Sequence, residues 1–429
     1  MRFHLSSHRC GRLGSRLSPL LAVVLCSLLL QWPLRALALE PLPSRQLSLR
    51  EVDALVSERN RPLAAARRAT EAAEAGVEIA GARPNPVVSV NTTGIASRRT
   101  GTNDPADTTW RIDQPIERGG KRELRLAVAG SILDASRADA ADSLRIQRLL
   151  AHQAYFDLKA AEEKSRIAAE SAELARRVLA KAELRLSAGD ISAADVARIR
   201  TDATRSASES TQAQIDLQRA RQALARLLAL DSEAGRLMTA DPWPDLEDTL
   251  GGTSGIETRP DIVAARRRLE AAEKAIDLAR SQRVRDITVG AQMERSTGNT
   301  FGFGVSIPLF TGNDYRGELR QAIVARDSAN DELERIRAEA AAESAQIRTE
   351  AGLQQTRARQ LLREALPAAR KAHASVLFAF SHGAASALDV IDARRSLHAV
   401  EIDTTNALTD AAKARAAWSA VNNTPKEQP

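Results

Sequence analysis

The sequence predicts a mainly helical protein with a small β part, built from one unit used twice. Three observations carry this. Leu186-Ser187-Ala188-Gly189-Asp190-Ile191-Ser192-Ala193-Ala194-Asp195-Val196 returns about 195 residues later as Phe380-Ser381-His382-Gly383-Ala384-Ala385-Ser386-Ala387-Leu388-Asp389-Val390, a spacing too long for a solenoid repeat and right for a duplicated domain. From Gly120 to Ala188 the chain carries one glycine, Gly130, after the Gly119-Gly120 pair, and no proline. Four short segments break the helical pattern with alternating apolar and polar residues. Each copy reads helix, two strands, very long helix, turn, helix.

Taken in order, residues 1–38 stand apart. Arg2, Arg9, Arg12 and Arg16 precede an apolar run from Leu20 to Leu30, which ends at Ala36-Leu37-Ala38. A basic start, a short apolar run and an A-x-A site are the marks of a secretory signal peptide. Val23-Val24-Leu25 before Cys26 argues against a lipid anchor there. Five of the 61 basic residues and none of the 55 acidic ones fall in this segment, leaving 56 against 55 in the mature chain. Charge therefore gives nucleic-acid binding no support. Cys10 and Cys26 leave with the segment, and with them any disulfide, thiolate metal site or cysteine nucleophile.

The first repeat is read as 39–240. It opens with a helix over roughly 48–82, which contains the repeated segment Arg61-Pro62…Glu71-Ala72-Ala73-Glu74. Strands follow over Pro86–Ile95 and Thr108–Ile116, around a polar loop with Gly101, Asn103, Asp104 and Pro105. About 70 helical residues then make a rod of roughly 100 Å. Leu174, Val178, Ala182 and Leu186 repeat every four, and Leu217, Ala220, Leu224, Leu227 and Leu228 form one stripe of a helix over roughly 192–230. Such stripes suit a coiled-coil seam. Two half-length helices end to end match one long one.

Residues 241–258 read as a linker, 259–421 as the second repeat and 422–429 as a tail. Arg259-Pro260…Glu270-Ala271-Ala272-Glu273 restates the first helix. Strands are expected over Asp286–Arg295 and Phe301–Phe310, around Ser296–Thr300. Phe301, Phe303, Val305, Ile307 and Leu309 share one face, with Gly302, Gly304, Ser306 and Pro308 on the other. The second long helix runs from about Arg316 to Ser381, with a bend near Leu366 imposed by Pro367.

About ten residues of alternation suits an outer-membrane strand, and equally a hairpin packed on a soluble core. The membrane reading has a structural consequence. Four strands cannot close a barrel, and lipid does not accept an open sheet edge. Three copies pooling their strands give a barrel of about twelve. The same three copies close a helical tube, which predicts a trimeric α-helical tunnel topped by a shared 12-stranded outer-membrane β-barrel.

These features resemble the TolC-like outer-membrane efflux family. The duplicated plan covers about residues 45–421, and the turn motif G-x-x-[ST]-x-x-D-V occurs twice, at Gly189, Ser192, Asp195, Val196 and at Gly383, Ser386, Asp389, Val390. Gln114-Pro115-Ile116-Glu117-Arg118-Gly119-Gly120-Lys121-Arg122 is similar to the subgroup of heavy-metal (cobalt–zinc–cadmium resistance) channels. The resemblance implies a homotrimer in outer-membrane lipid, docked to a periplasmic adaptor and an inner-membrane pump of the resistance-nodulation-division type. It places Gly189, Ile191, Ser192, Gly383 and Ser386 at an adaptor-contact tip, where their residue types also suit plain turn-making. Asp389 and Asp392, with Asp195 and Phe380, fall at the channel entrance. Under threefold symmetry each acid becomes a ring that favours cations; the alternative is acids that only offset the helix dipole. In the family an Arg two residues after the turn glycine helps lock the closed entrance. Ala385 stands there, and Phe380 replaces a Tyr, so the closed state is held differently or less tightly.

His152, His373, His382 and His398 show no metal-ligand spacing. There is no nucleophile–base set and no cofactor fingerprint, so the chain reads as neither an enzyme nor a cofactor protein. The competing readings are a periplasmic structural or adaptor coiled coil, and the same channel exporting drugs or a polypeptide.

Overall fold

The computed structural model describes residues 44–94, 106–247 and 255–422. The signal-peptide segment 1–38, the loop around Gly101, Asn103, Asp104 and Pro105, and residues 423–429 lie outside the described residues.

After β1 (Arg45–Leu47), Ser48 and Glu51 form a reciprocal capping box at the start of α1 (Leu49–Arg59). Asn60 interrupts the helix in an extended conformation, φ −65° and ψ 123°, and its side chain accepts from the Leu63 N–H to start α2 (Arg61–Gly81). The helix expected over 48–82 is thus two. Pro62 sits in the first turn of α2, where its missing N–H costs nothing, and Asn60 is a ready cap.

β2 (Val87–Thr93) and β3 (Asp107–Ile116) form an antiparallel hairpin. Next comes α3 (Lys121–Ser187), 67 residues long, or roughly 100 Å at 1.5 Å per residue. α4 (Ala193–Leu228) returns along it. Arg137 of α3 meets Glu74 of α2 at 3.2 Å, and Glu183 meets Arg200 of α4 at 2.9 Å. The half-length helices therefore lie end to end beside the long one.

A short 3-10 turn leads to β4 (Leu237–Thr239), which pairs in parallel with β1. This small clasp encloses Leu47, Val52, Val56, Leu224, Leu228 and Tyr155 in one core. The Tyr155 hydroxyl lies 3.1 Å from the Leu47 carbonyl and accepts the Asp241 N–H at 3.0 Å. Trp243 stacks on Phe156 at 6.4 Å, so the chain just past residue 240 is packed.

The second repeat comprises α5 (Pro260–Ser281), β5 (Ile287–Arg295), β6 (Asn299–Ser306), α6 (Arg316–Gln360), α7 (Leu366–Ser381) and α8 (Ala387–Asn422). A π-helical turn, Leu361–Ala365, separates α6 from α7, and the Leu366 N–H donates to the Leu361 carbonyl five residues back. Where Pro367 predicts a bend, the ladder changes to π spacing: proline cannot donate and its ring crowds the carbonyl four residues earlier. The last strand ends at Ser306, short of the expected Phe310. Thr288 is already paired with Ser306 near the start of β5, and Pro308 has no N–H to extend the ladder.

The sheet order is β2-β3-β5-β6, all antiparallel. One row across it is Val90, Trp110, Met293 and Phe301; the next, on the opposite face, is Ser89, Arg111, Gln292 and Gly302. Register therefore gives one apolar and one polar face. On the polar face Arg111 binds Asp113 at 2.7 Å, and a Cβ on Gly290 would overlap the Asp113 carboxylate. β2 and β6 are open edges within one chain.

Gln114–Arg122 is the strand-to-helix junction. Arg122 Nε donates to the Gly81 carbonyl at 2.6 Å and Arg125 Nε to that of Ala80 at 3.3 Å, closing the end of α2. Glu117 binds Arg125 through both oxygens. Asp286, just before β5, takes the Lys121 ammonium at 2.8 Å and the Arg118 N–H at 2.9 Å. Gly119 has φ +75°, and a Cβ there would meet Val284 at 2.8 Å.

Candidate functional site: the paired helix turns

The two copies of the turn motif fold the same way. After α3, the Gly189 N–H donates to Leu186 at 3.0 Å and the Asp190 N–H to Arg185 at 2.9 Å. After α7, the Gly383 N–H donates to Phe380 at 3.2 Å and the Ala384 N–H to Ala379 at 2.8 Å. Gly189 and Gly383 have φ of +81° and +77°, and nothing lies within 4 Å of a Cβ built on either. Left-handed backbone, not crowding, is what requires glycine there.

The caps match as well, with one difference. Ser192 Oγ accepts the Asp195 N–H at 3.1 Å, and Ser386 Oγ accepts that of Asp389 at 3.2 Å. In both turns the acid accepts the serine hydroxyl, Asp195 from Ser192 at 2.7 Å and Asp389 from Ser386 at 2.8 Å, but only in the second, among the described residues, does it also take the serine N–H, at 2.8 Å, completing a capping box. The Ser386 hydroxyl and amide together hold the Asp389 carboxyl below the usual range. Asp195 also has Arg198 at 3.7 Å.

The two turns share one small core. Val178 and Ala182 of α3, Val196 and Ile199 of α4, and Val390 and Ile391 of α8 are buried together, with Ile191 and Phe380 packed against them. Phe380 therefore contributes to this core, while its neighbour Phe378 is 67% exposed and carries the His382 ring at 4.2 Å. Gly189, Ser192, Gly383 and Ser386 are exposed. Asp392 is exposed one turn beyond Asp389, with no hydrogen-bond or ion-pair partner among the described residues. Of the three acids read as entrance residues, Asp389 is engaged as a cap, Asp195 is paired, and Asp392 is free.

Behind this core lies an arrangement that sequence reasoning missed. Arg394 of α8 reaches Asp202 of α4 at 2.6 Å, and its other nitrogen bonds Ser171 Oγ of α3. Arg395 adds a second contact to Asp202 at 2.8 Å. Asp202 and Arg394 are both buried, so three helices from both repeats are joined by a buried ion pair that the half-exposed Arg395 covers from the solvent side. A signal existed. The buried face of α4 runs Val196, Ile199, Asp202, Ser206, and an acid inside an apolar stripe needs a partner.

His152 binds Asp53 at 2.8 Å. His382 Nδ1 lies 2.9 Å from the Phe378 carbonyl. Among the described residues no group of three or more His, Cys, Asp or Glu could hold a metal ion, and no helix is long and apolar enough to cross a membrane.

The sequence profile of the outer membrane efflux protein family matches residues 54–230 and 254–422. The cobalt-zinc-cadmium resistance protein CzcC of Cupriavidus metallidurans is 29% identical over 363 residues, covering 83% of this chain and 85% of that protein. Among solved structures, the outer membrane protein VceC of Vibrio cholerae superposes with a TM-score of 0.71 at 21% identity, over 87% of this chain and 96% of its own. CusC, studied for folding and transmembrane channel formation, does so with a TM-score of 0.74 at 19% identity, over 88% and 93%.

Proposed function

The chain belongs to the outer membrane efflux protein family, and on that premise we propose that it is the exit duct of a tripartite efflux system whose cargo is divalent heavy-metal cations. It is an outer-membrane channel of a Gram-negative bacterium that extends into the periplasm, and not an enzyme. The observation that carries the reading is the four-stranded sheet with one apolar face, one polar face and two open edges. In lipid such edges require pairing with other copies, and three copies supply about twelve strands. The helices continue this wall inward as a tunnel.

Metal cargo is supported by the likeness to CzcC and by the Gln114–Arg122 segment. Gly189, Ile191, Ser192, Gly383 and Ser386 form the tip that meets a periplasmic adaptor, which hands on cargo from an inner-membrane pump. Asp392, unpaired and exposed, is the principal carboxylate of the entrance, with Asp389 and Asp195 beside it. With Ala385 in place of the family Arg, the buried Asp202–Arg394 pair takes over part of the task of holding the two hairpins together at the closed entrance. Deletion of the gene followed by growth on zinc, cobalt, cadmium, copper and nickel tests the cargo. Unchanged growth on all five, with increased sensitivity to drugs, overturns the metal reading and leaves the duct.

A further inference from the structure

The apolar face of the sheet stops abruptly on the side where the helices begin. Ile116 and Ile287 are its last paired residues there. Two residues beyond each stands an arginine, Arg118 after Ile116 and Arg285 before Ile287. Arg283 and Arg83, the latter four residues before β2, complete the group, and all four are exposed. The Arg285 guanidinium sits 5.4 Å from the centroid of Phe310, whose ring packs edge-on against Tyr315.

The carboxylates nearby are already used. Glu117 is taken by Arg125, Asp286 by Lys121 and Asp314 by Arg316, while Glu318 accepts from the Asn313 amide. Among the described residues none of the four arginines has a carboxylate in ion-pair range, although Arg283 Nε donates to the Asp314 main-chain carbonyl at 3.2 Å. In a mature chain of nearly balanced charge, four guanidiniums without a carboxylate partner among the described residues flank the strand ends at the border of an apolar wall.

We propose that Arg83, Arg118, Arg283 and Arg285 form a belt that binds the phosphodiesters of anionic glycerophospholipids in the periplasm-facing leaflet of the outer membrane. The planar guanidinium matches a phosphate in two-point fashion. Its stem lies along apolar surface while the head stays at the interface, and the Arg285 head is already held over the Phe310 ring at that level. Basic residues at a bilayer surface attract anionic lipid. The inference rests on the reading of this sheet as the membrane wall.

The test uses the mature full-length assembly in detergent, titrated with phosphatidylglycerol, phosphatidylcholine and inorganic phosphate while lipid retention is followed by native mass spectrometry. R83Q/R118Q/R283Q/R285Q is expected to weaken phosphatidylglycerol binding at least about tenfold, with conductance unchanged. R83Q/R118Q, whose side chains make no hydrogen bond or ion pair among the described residues, gives a smaller loss without risk to the fold. Replacement of all four by Lys keeps part of the binding. Equal retention of the two lipids by the native protein overturns the belt. So does undiminished phosphatidylglycerol binding in both Gln variants, or competition by inorganic phosphate at millimolar level, which would mark a free-anion site. Release of the native protein from vesicles by carbonate is a separate failure, that of the membrane reading itself.

Discussion

Arg394 and Asp202 meet at 2.6 Å with side chains 7% and 4% exposed, joining two helical hairpins that are about 195 residues apart in the chain. Removing one partner from such a pair leaves a buried charge without compensation, which costs about 3–5 kcal/mol. Asp202→Ala is therefore expected to loosen the tip and raise the fraction of time the channel conducts in planar bilayers. Asp202→Leu with Arg394→Met restores a sealed tip, since an apolar pair fills the site without a stranded charge. A single-channel record in which D202A stays as closed as the native protein removes this pair from any role in closure.

The acids at the entrance are separable. Asp392→Asn is expected to lower cation preference more than Asp389→Asn, because Asp392 projects free while Asp389 is bound by Ser386. Asp389→Asn acts mainly on the cap, weakening its hold on the Ser386 N–H and hydroxyl. Reversal potentials under a salt gradient separate the two. An equal shift from both variants, or none from either, refutes the assignment.

Gly119→Ala and Gly120→Ala isolate crowding from backbone strain. Both positions have positive φ, +75° and +69°, so each substitution carries a strain of about 1 kcal/mol. Only Gly119 faces Val284, at 2.8 Å from a built Cβ. G119A should lower the yield of assembled trimer well below that of G120A, and G119A/V284A should recover it. Equal yields for the two single variants would contradict the junction geometry.

The junction also has a pH signature. The Arg125 guanidinium holds the Glu117 carboxyl below the usual range. A depressed carboxyl contributes stability above its unfolded value, near pH 4.3, and that contribution fades as pH falls through the lower folded value. Glu117→Gln should reduce assembly stability at pH 7 while leaving it closer to the native protein below about pH 4. Parallel acid-denaturation curves for the two proteins would count against the pair.

Periodicity made much of this fold readable. The Gly-Ser-Asp-Val turns are local, since both glycine φ values and both serine caps depend on residues within a few positions, and they fold as their sequence indicates. The long helix of 67 residues followed from an absence of breakers. What stayed hidden depends on distance. The β1–β4 clasp is three residues wide, too short for any periodic signal, and exists because Leu47 and Leu237 meet around Tyr155. The split at Asn60 needed the joint reading of a cap and Pro62. Asp202 and Arg394 lie 192 positions apart, and Asp389 looked like a free charge until its capping box with Ser386 became visible.

The π-helical turn at Leu361–Ala365 has no counterpart in the described part of the first repeat, where α3 runs unbroken. One extra residue in a turn advances every later side chain by about 100° around the axis. The seam that α7 offers to α8 is thus a different stripe from the one that continues α6. The duplicated halves follow one plan with two phases: past that dislocation the second rod meets its neighbour on a face offset from the one its first part presents, an offset the first rod lacks.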